Sequence, residues 1–500
     1  MKNFMILVEA VLYLTGAASI EDLDEETICR FERMESFPVM INLCNQNALK
    51  ESGLMSGYQA ASLIEYRERT GDILSETELG LIEGFSPETA KAMMPFISLE
   101  SSGSPGQKSR KYSRQEIILD AAGRKTDSFS WSSSVKYSYD NGVTSLNAGF
   151  RYKDGADGSV CAAYYGRKYL QLLVLGDYNL KYGQGGCLWS GFSLNGFPTV
   201  DAIYKKPSGI CRSASSSQGS KFRGTAASFR TGHFTEDIFY SYNGILGGNI
   251  GFSSRSMEFD LTGYKGSGSW GTGFSGRGTI GATDLFGEAA ITSEGLSVTA
   301  GTVWNIAYRV KCAALASKTA DGHQYAAGIQ FRDYSLTAER NPKYLKFIFN
   351  GTQALTPESS GFSSSLSAKA STKKQNRWKT ECRIDWRNSW KGFELNARYD
   401  MLWNISHSSL AYLEAGYRKD RLYAYLRGTI FLIDNWDDRI YVYERDAPSS
   451  FNVPAYYGRG WNASFVLRWN NLFIRVATTC YPSGSKTSKN EIKLQYRLRW

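Results

Sequence analysis

Apolar and polar residues alternate along most of the chain with period two. In the last eleven residues Ile492, Leu494, Tyr496, Leu498 and Trp500 alternate without a break with Lys493, Gln495, Arg497 and Arg499, as expected for a strand with one apolar and one polar face. The pattern recurs upstream. Phe393, Leu395, Ala397, Tyr399 and Met401 alternate with Glu394, Asn396, Arg398 and Asp400; Cys382, Ile384 and Trp386 alternate with Glu381, Arg383, Asp385 and Arg387. Ala463, Phe465, Leu467 and Trp469 follow the same rule. Charges this dense on one face are too polar for the core of a sandwich and suit a water-filled lumen, which leaves lipid for the other face. The pattern predicts an all-β transmembrane antiparallel β-barrel over residues 112–500, of about 16 to 22 strands and even in number.

The first hundred residues read differently. Met1, Lys2 and the apolar run from Phe4 to Leu14, followed by small residues up to Ala18, predict a secretory signal over 1–18, with Glu9 interrupting its apolar core. Ser19 with an acid three residues on, then Ile28, Phe31 and Met34 at helical spacing, predicts one helix from about Ile20 to Glu35, ended by Pro38. Over 41–97 short helices alternate with Gly-containing turns, at Gly53 to Gly57, at Gly71 and at Gly84 to Pro87, with Ser75 and Glu78 forming a cap. A small all-α domain is therefore expected over 19–100. Residues 101–111, rich in Gly, Ser and Pro, predict a flexible linker.

Charge separates the two parts further. Residues 21–100 hold 16 Asp/Glu against 6 Lys/Arg, a net of −10, whereas residues 101–500 carry +20 of the overall +10. An acidic module precedes a basic body. No stretch reaches about 18 uninterrupted apolar residues, so a membrane-spanning helix is excluded, a test that a barrel passes unseen.

The segment 41–97 resembles the tandem helix-hairpin-helix repeat of the competence-protein (ComEA-like) type, through Ile41-Asn42-Leu43, Ala60 with Ile64-Glu65-Tyr66-Arg67, and Leu81-Ile82-Glu83-Gly84. In DNA-binding members the hairpins carry G-x-G turns whose N–H groups meet phosphate. Here the triplets are Leu54-Met55-Ser56, between Gly53 and Gly57, and Gly84-Phe85-Ser86, so three of the four glycines are missing. With a net charge of −10 these hairpins are expected to contact a protein or the barrel; DNA is the alternative partner, which the charge disfavours. The terminal strand, with Tyr496, Leu498 and Trp500, resembles the C-terminal insertion signal of Gram-negative outer-membrane barrels. That resemblance implies outer-membrane lipid and the barrel-assembly machinery as partners.

Three further stretches resemble outer-membrane barrels with an N-terminal helix-hairpin-helix domain. They are Leu175 to Phe192, Phe222 to Ala226, and Arg439 to Glu444 leading through Phe451 and Pro454 to Gly460. The resemblance implies an outer-membrane protein of structural or transport type whose helical domain lies in the periplasm, there docking an unknown protein partner or capping the lumen.

Candidate chemistry is sparse. Eight scattered cysteines show no C-x-x-C spacing and are expected to serve as packing or lipid-facing residues, and three histidines offer no metal set. Ser406-His407-Ser408 is the only adjacent Ser/His cluster, and nothing marks a third member. No catalytic residue, cofactor or metal site is expected. The Gly183 to Gly186 run predicts a tight turn sending the chain into or over the lumen, since a phosphate loop would need Lys-Ser/Thr and a following helix. Ser213 to Ser220 predicts an external loop or a lumen-filling segment, and the positive charge of Arg212 and Arg223 beside it suits a solvated loop.

Overall fold

The computed structural model describes residues 4–100, 113–213, 221–307, 309–356, 362–419, 421–482 and 487–500. The linker expected at 101–111 lies outside them. Twenty-four antiparallel strands close into one barrel, and a short extra strand, Gly209–Arg212, pairs with the end of Leu170–Lys181. Each strand pairs with its neighbours in sequence. The last, Lys489–Arg499, closes the ring on the first, Arg114–Lys125, with Tyr496 opposite Leu119 and Arg497 opposite Ile118. Closure leaves no open edge, as a lipid-embedded sheet requires.

The count is even, and it exceeds the range drawn from alternation. Strands such as Ile245–Ser253 and Trp270–Ile280 carry Gly at several of their positions, which dilutes the apolar signal. Turns as short as Gly281-Ala282 leave little mark between strands.

The alternation separates two solvents as expected. On the strands Trp378–Trp390, Phe393–Trp403, His407–Lys419 and Leu422–Ile433, Ile384, Tyr399, Leu413 and Leu426 point outward and are 42–60% exposed, whereas Arg383, Asp400, Glu414 and Arg427 point inward and are at most 5% exposed. An apolar belt of this extent needs lipid against it. Trp131, Trp270, Trp378, Trp403 and Trp461 ring one end of the belt, and Trp304, Trp390, Trp469 and Trp500 the other. Trp386, expected with them, lies mid-strand instead.

Two ends of the barrel are distinguishable. The terminal end holds Arg114 and Arg499 with short turns; the opposite, loop end carries the long excursions 182–208 and 434–457. Both excursions fold inward. Arg445, from the second, reaches the inward carboxylates of Glu394 and Glu414 at 3.2 and 2.8 Å.

Inside the ring sits the helical module: α1 Phe4–Thr15, α2 Glu25–Ser36, α3 Gln46–Ser52, α4 Gly57–Thr70, α5 Glu76–Leu81 and α6 Pro87–Met93. Its core gathers Phe31, Met34, Ile41, Leu49, Leu63, Ile73, Leu79 and Phe96. Leu7, Ala10 and Leu14 of α1 join it. Asn42 ties the chain ends of the module together: its Nδ2 donates to Ile73 O and Leu99 O, and its Oδ1 accepts from Ile73 N at 2.9 Å. Arg67 clamps the carbonyls of Ile41, Asn42 and Cys44. Replacing Asn42 by Leu strands buried backbone groups and is expected to cost about 2–3 kcal/mol of module stability, read as faster proteolysis within 19–100.

The single helix expected from Ile20 to Glu35 is broken. Asp22 accepts from both the amide and the hydroxyl of Ser19 at 2.9 Å, closing a turn over Ile20–Asp22, and Asp24 then caps α2 by accepting from Thr27 N. Side chains that compete for the backbone end one element and begin the next. The break puts Glu21 on a projecting turn.

Candidate functional site

The site is the seam between module and wall. Strands Trp378–Trp390 and Phe393–Trp403 pair so that Arg383 faces Asp400 and Asp385 faces Arg398. Each arginine directs its Nε to its neighbour, Arg383 to Asp400 at 2.9 Å and Arg398 to Asp385 at 2.5 Å. Their outer nitrogens converge on Glu21: Arg383 Nη1 donates to Oε2 at 3.1 Å and Arg398 Nη1 to Oε1 at 2.5 Å. The amide of Tyr443, from the inward loop 434–457, donates to Oε1 at 3.0 Å. Wall, loop and module meet at one carboxylate, whose side chain is 7% exposed. Burial alone would push Glu21 up, but Arg398 and Arg383 hold its carboxyl well below the usual carboxylate range.

Other module acids repeat the theme. Glu51 accepts from Arg212 Nε at 2.7 Å and from Tyr165 Oη at 2.5 Å, Asp22 lies 3.3 Å from Lys369, and Glu32 accepts from Ser449 N at 2.7 Å. Burial pushes Glu32 up. Near the terminal end, Glu83–Arg255 and Glu88–Arg309 are looser and more exposed pairs at 3.6 and 3.7 Å, which contribute little. The net −10 of the module and the basic body are two halves of one interface.

The hairpins also point inward. Gly53, at φ +73, caps α3; Leu54 and Met55 are buried, and Ser56 with Gln59 forms the capping box of α4. At Gly57 an added Cβ would lie 2.0 Å from Glu258 Oε1 of the wall. Arg277 stacks 3.2 Å from the Tyr58 ring centroid. A wall carboxylate thus takes the place at the start of α4 that a phosphate would need. At the second hairpin Gly84 O accepts from Gln59 Nε2 at 2.6 Å, Phe85 packs on the module core, and Ser86 caps α6 by accepting from Thr89 N. This hairpin is folded onto α4. Gly57→Val is expected to displace α4 from the wall and to expose residues near 57 to protease.

The glycine run turns into the lumen as expected, with Gly183 and Gly185 at φ +58 and +85. Its amides close on an anion from the chain itself: Glu288 accepts from Gln184 N at 2.6 Å, Gly186 N at 2.9 Å and Cys187 N at 2.8 Å. Successive amides form a nest for a carboxylate. Arg212, expected beside a solvated loop, is instead turned to Glu51, because a lumen-facing guanidinium is stabilised by a partner; Arg223 stays half exposed, as expected there, and pairs with Asp177. Ser213 is buried; residues 214–220 lie outside the described residues.

At Ser406-His407-Ser408 the parts diverge. Ser406 bonds Asp438, His407 lies against Trp403 with centroids 5.4 Å apart, and Ser408 is buried. Asp438 meets Ser406 and not His407, and it orders a loop-end turn through Ser406 N and Asn404. All eight cysteines are free, and no metal-ligating group of three is found among the described residues.

At the closing strand, Tyr496, Leu498 and Trp500 are 37–58% exposed on the outer face, while Gln495 and Arg497 are buried within and bond Asp120 and Glu116. Trp500 and Gln115 exchange backbone hydrogen bonds at 3.0 and 3.1 Å.

No protein-family model matches the sequence, and a search of curated proteins finds no match. Among solved structures the chain is similar to Pseudomonas aeruginosa OccK11 (OpdR), at 12% identity and TM-score 0.34 over 78% of this chain and 96% of that one. It is also similar to Acinetobacter baumannii OccAB3, at 9% identity and TM-score 0.30 over 78% and 99%. Pseudomonas aeruginosa OpdK, solved with vanillate, shows 9% identity and TM-score 0.32 over 78% and 99%. Identities and scores this low assign this chain neither a family nor a cargo.

Proposed function

We propose that the chain is an outer-membrane channel of transport type whose acidic N-terminal helical module is its own plug. The module enters from the periplasmic side, which we equate with the terminal end, and caps the lumen by binding the wall. The observation that carries this reading is Glu21, held by two wall guanidiniums and a loop amide. Buried charge of this kind stabilises only one docked arrangement. The apolar belt between two tryptophan rings supports the membrane placement.

Single-channel recording tests the plug. Full-length protein is expected to conduct weakly, and a version starting at Lys111 to give large, stable current steps; equal conductance refutes the reading. Purification as a soluble monomer without detergent would refute the membrane placement. The terminal strand serves recognition by the assembly machinery in this proposal. Exchanging Tyr496, Leu498 and Trp500 for Ser is expected to cut the assembled, heat-modifiable form severalfold. Export with cleavage near Ala18 would take α1, with Leu7, Ala10 and Leu14, out of the module and make Ser19 the first residue, and N-terminal sequencing of membrane-extracted protein reads this directly.

A further inference from the structure

We propose that the cradle of Arg383, Arg398 and the Tyr443 amide, filled by Glu21 in the plugged arrangement, is the carboxylate-binding site of the lumen. It would take a carboxylate group of the passing solute when the module moves away. The inference rests on the plug reading and gives it a substrate class. Each arginine already binds one oxygen of a wall aspartate through Nε, so the donors aimed at Glu21 are additional. Once Glu21 leaves, three N–H groups, two of them on guanidiniums, face the lumen without that acceptor, a costly state that another oxyanion relieves. Two parallel-aimed guanidiniums and an amide match the two oxygens of a carboxylate.

A second observation concerns access. A cavity of about 900 Å³ at the loop end reaches both Glu21 and Arg383, and Lys369, Lys373, Arg377, Lys379 and Arg439 line it. The acids among its described lining are Glu21, Asp22, Glu381 and Asp437. An anion entering from the loop end therefore meets a basic funnel that ends on the carboxylate it would replace. In the plugged protein Glu21 is an internal competitor for cargo.

The test uses full-length protein. Glu21→Ala empties the cradle, and acetate is then expected to raise the thermal midpoint by about 2–4 °C with saturation, while chloride at equal ionic strength does not. Wild type, whose site is filled, and Glu21→Ala combined with Arg398→Gln are expected to show no acetate response. An absent or chloride-matched response in Glu21→Ala overturns the proposal. In wild type, citrate added on the loop side is expected to raise opening frequency severalfold, and indifference to citrate counts equally against it, whether or not the alanine variant assembles. The conductance of Glu21→Ala separates the two readings. Raised current without an acetate response sinks the cradle and leaves the plug, whereas an acetate response at unchanged current does the reverse.

Discussion

Glu21→Gln is expected to open the channel. The substitution keeps the shape of the side chain and removes the charge, leaving Arg383 and Arg398 with an amide oxygen where a carboxylate stood. Breaking a buried ion pair by removing one partner costs about 3–5 kcal/mol, because the remaining charges stay buried. A loss of even about 3 kcal/mol shifts the docking equilibrium by about a hundredfold. Single-channel records should show long closed periods replaced by frequent openings. Glu83→Gln, at the looser pair near the terminal end, should change little. If the two variants behave alike, docking does not depend on the cradle.

Acidification is expected to release the module, and Glu21 sets the direction. Its carboxyl is held well below its ordinary value of 4.5 when docked. Docking therefore gains from the ionised form above about pH 4.5 and loses that gain as pH falls from there through the depressed docked value. Glu26 and Glu32 work the other way. Burial raises both, so their contribution is full below about pH 4.5 and fades as pH rises through their docked values. The wild-type opening probability should climb steeply below about pH 4.5. Glu21→Gln should lose most of that acid limb, keeping the small share of Glu88, whose carboxyl is also lowered at its exposed pair with Arg309, and the closure on acidification that Glu26 and Glu32 supply. An unchanged acid limb in Glu21→Gln would place the pH sensor elsewhere.

Much of the wall is legible in residue order. Arg383, Asp385, Arg398 and Asp400 stand on the polar face of their strands by simple alternation, and the face they occupy follows from what lipid tolerates. Helices at 46–52, 57–70, 76–81 and 87–93 fall where capping residues and glycines predict them. The Ser19–Asp24 break escapes a reading by spacing, because two caps five residues apart, at Ser19 and Asp24, each end or start an element, while spacing alone favours one continuous helix. The inward course of 434–457 carries no period at all. Its anchors, Arg445 on Glu414 and Arg475 on Glu444, only become visible once distant strands are neighbours.

Sequence by itself determined the two-faced strands, the acidic module, its separation from a basic body, and which residues face water. Those properties depend on neighbours a few positions apart, where side-chain chemistry acts directly. Only the tertiary structure decided where the acids go, and hence that Glu21, Arg383, Arg398 and Tyr443 form one site, because seating the module inside the closed barrel brings residues 362, 377 and 422 positions apart within hydrogen-bonding distance. Charge totals can require that the module and the lumen attract, but direction and distance enter only with the fold.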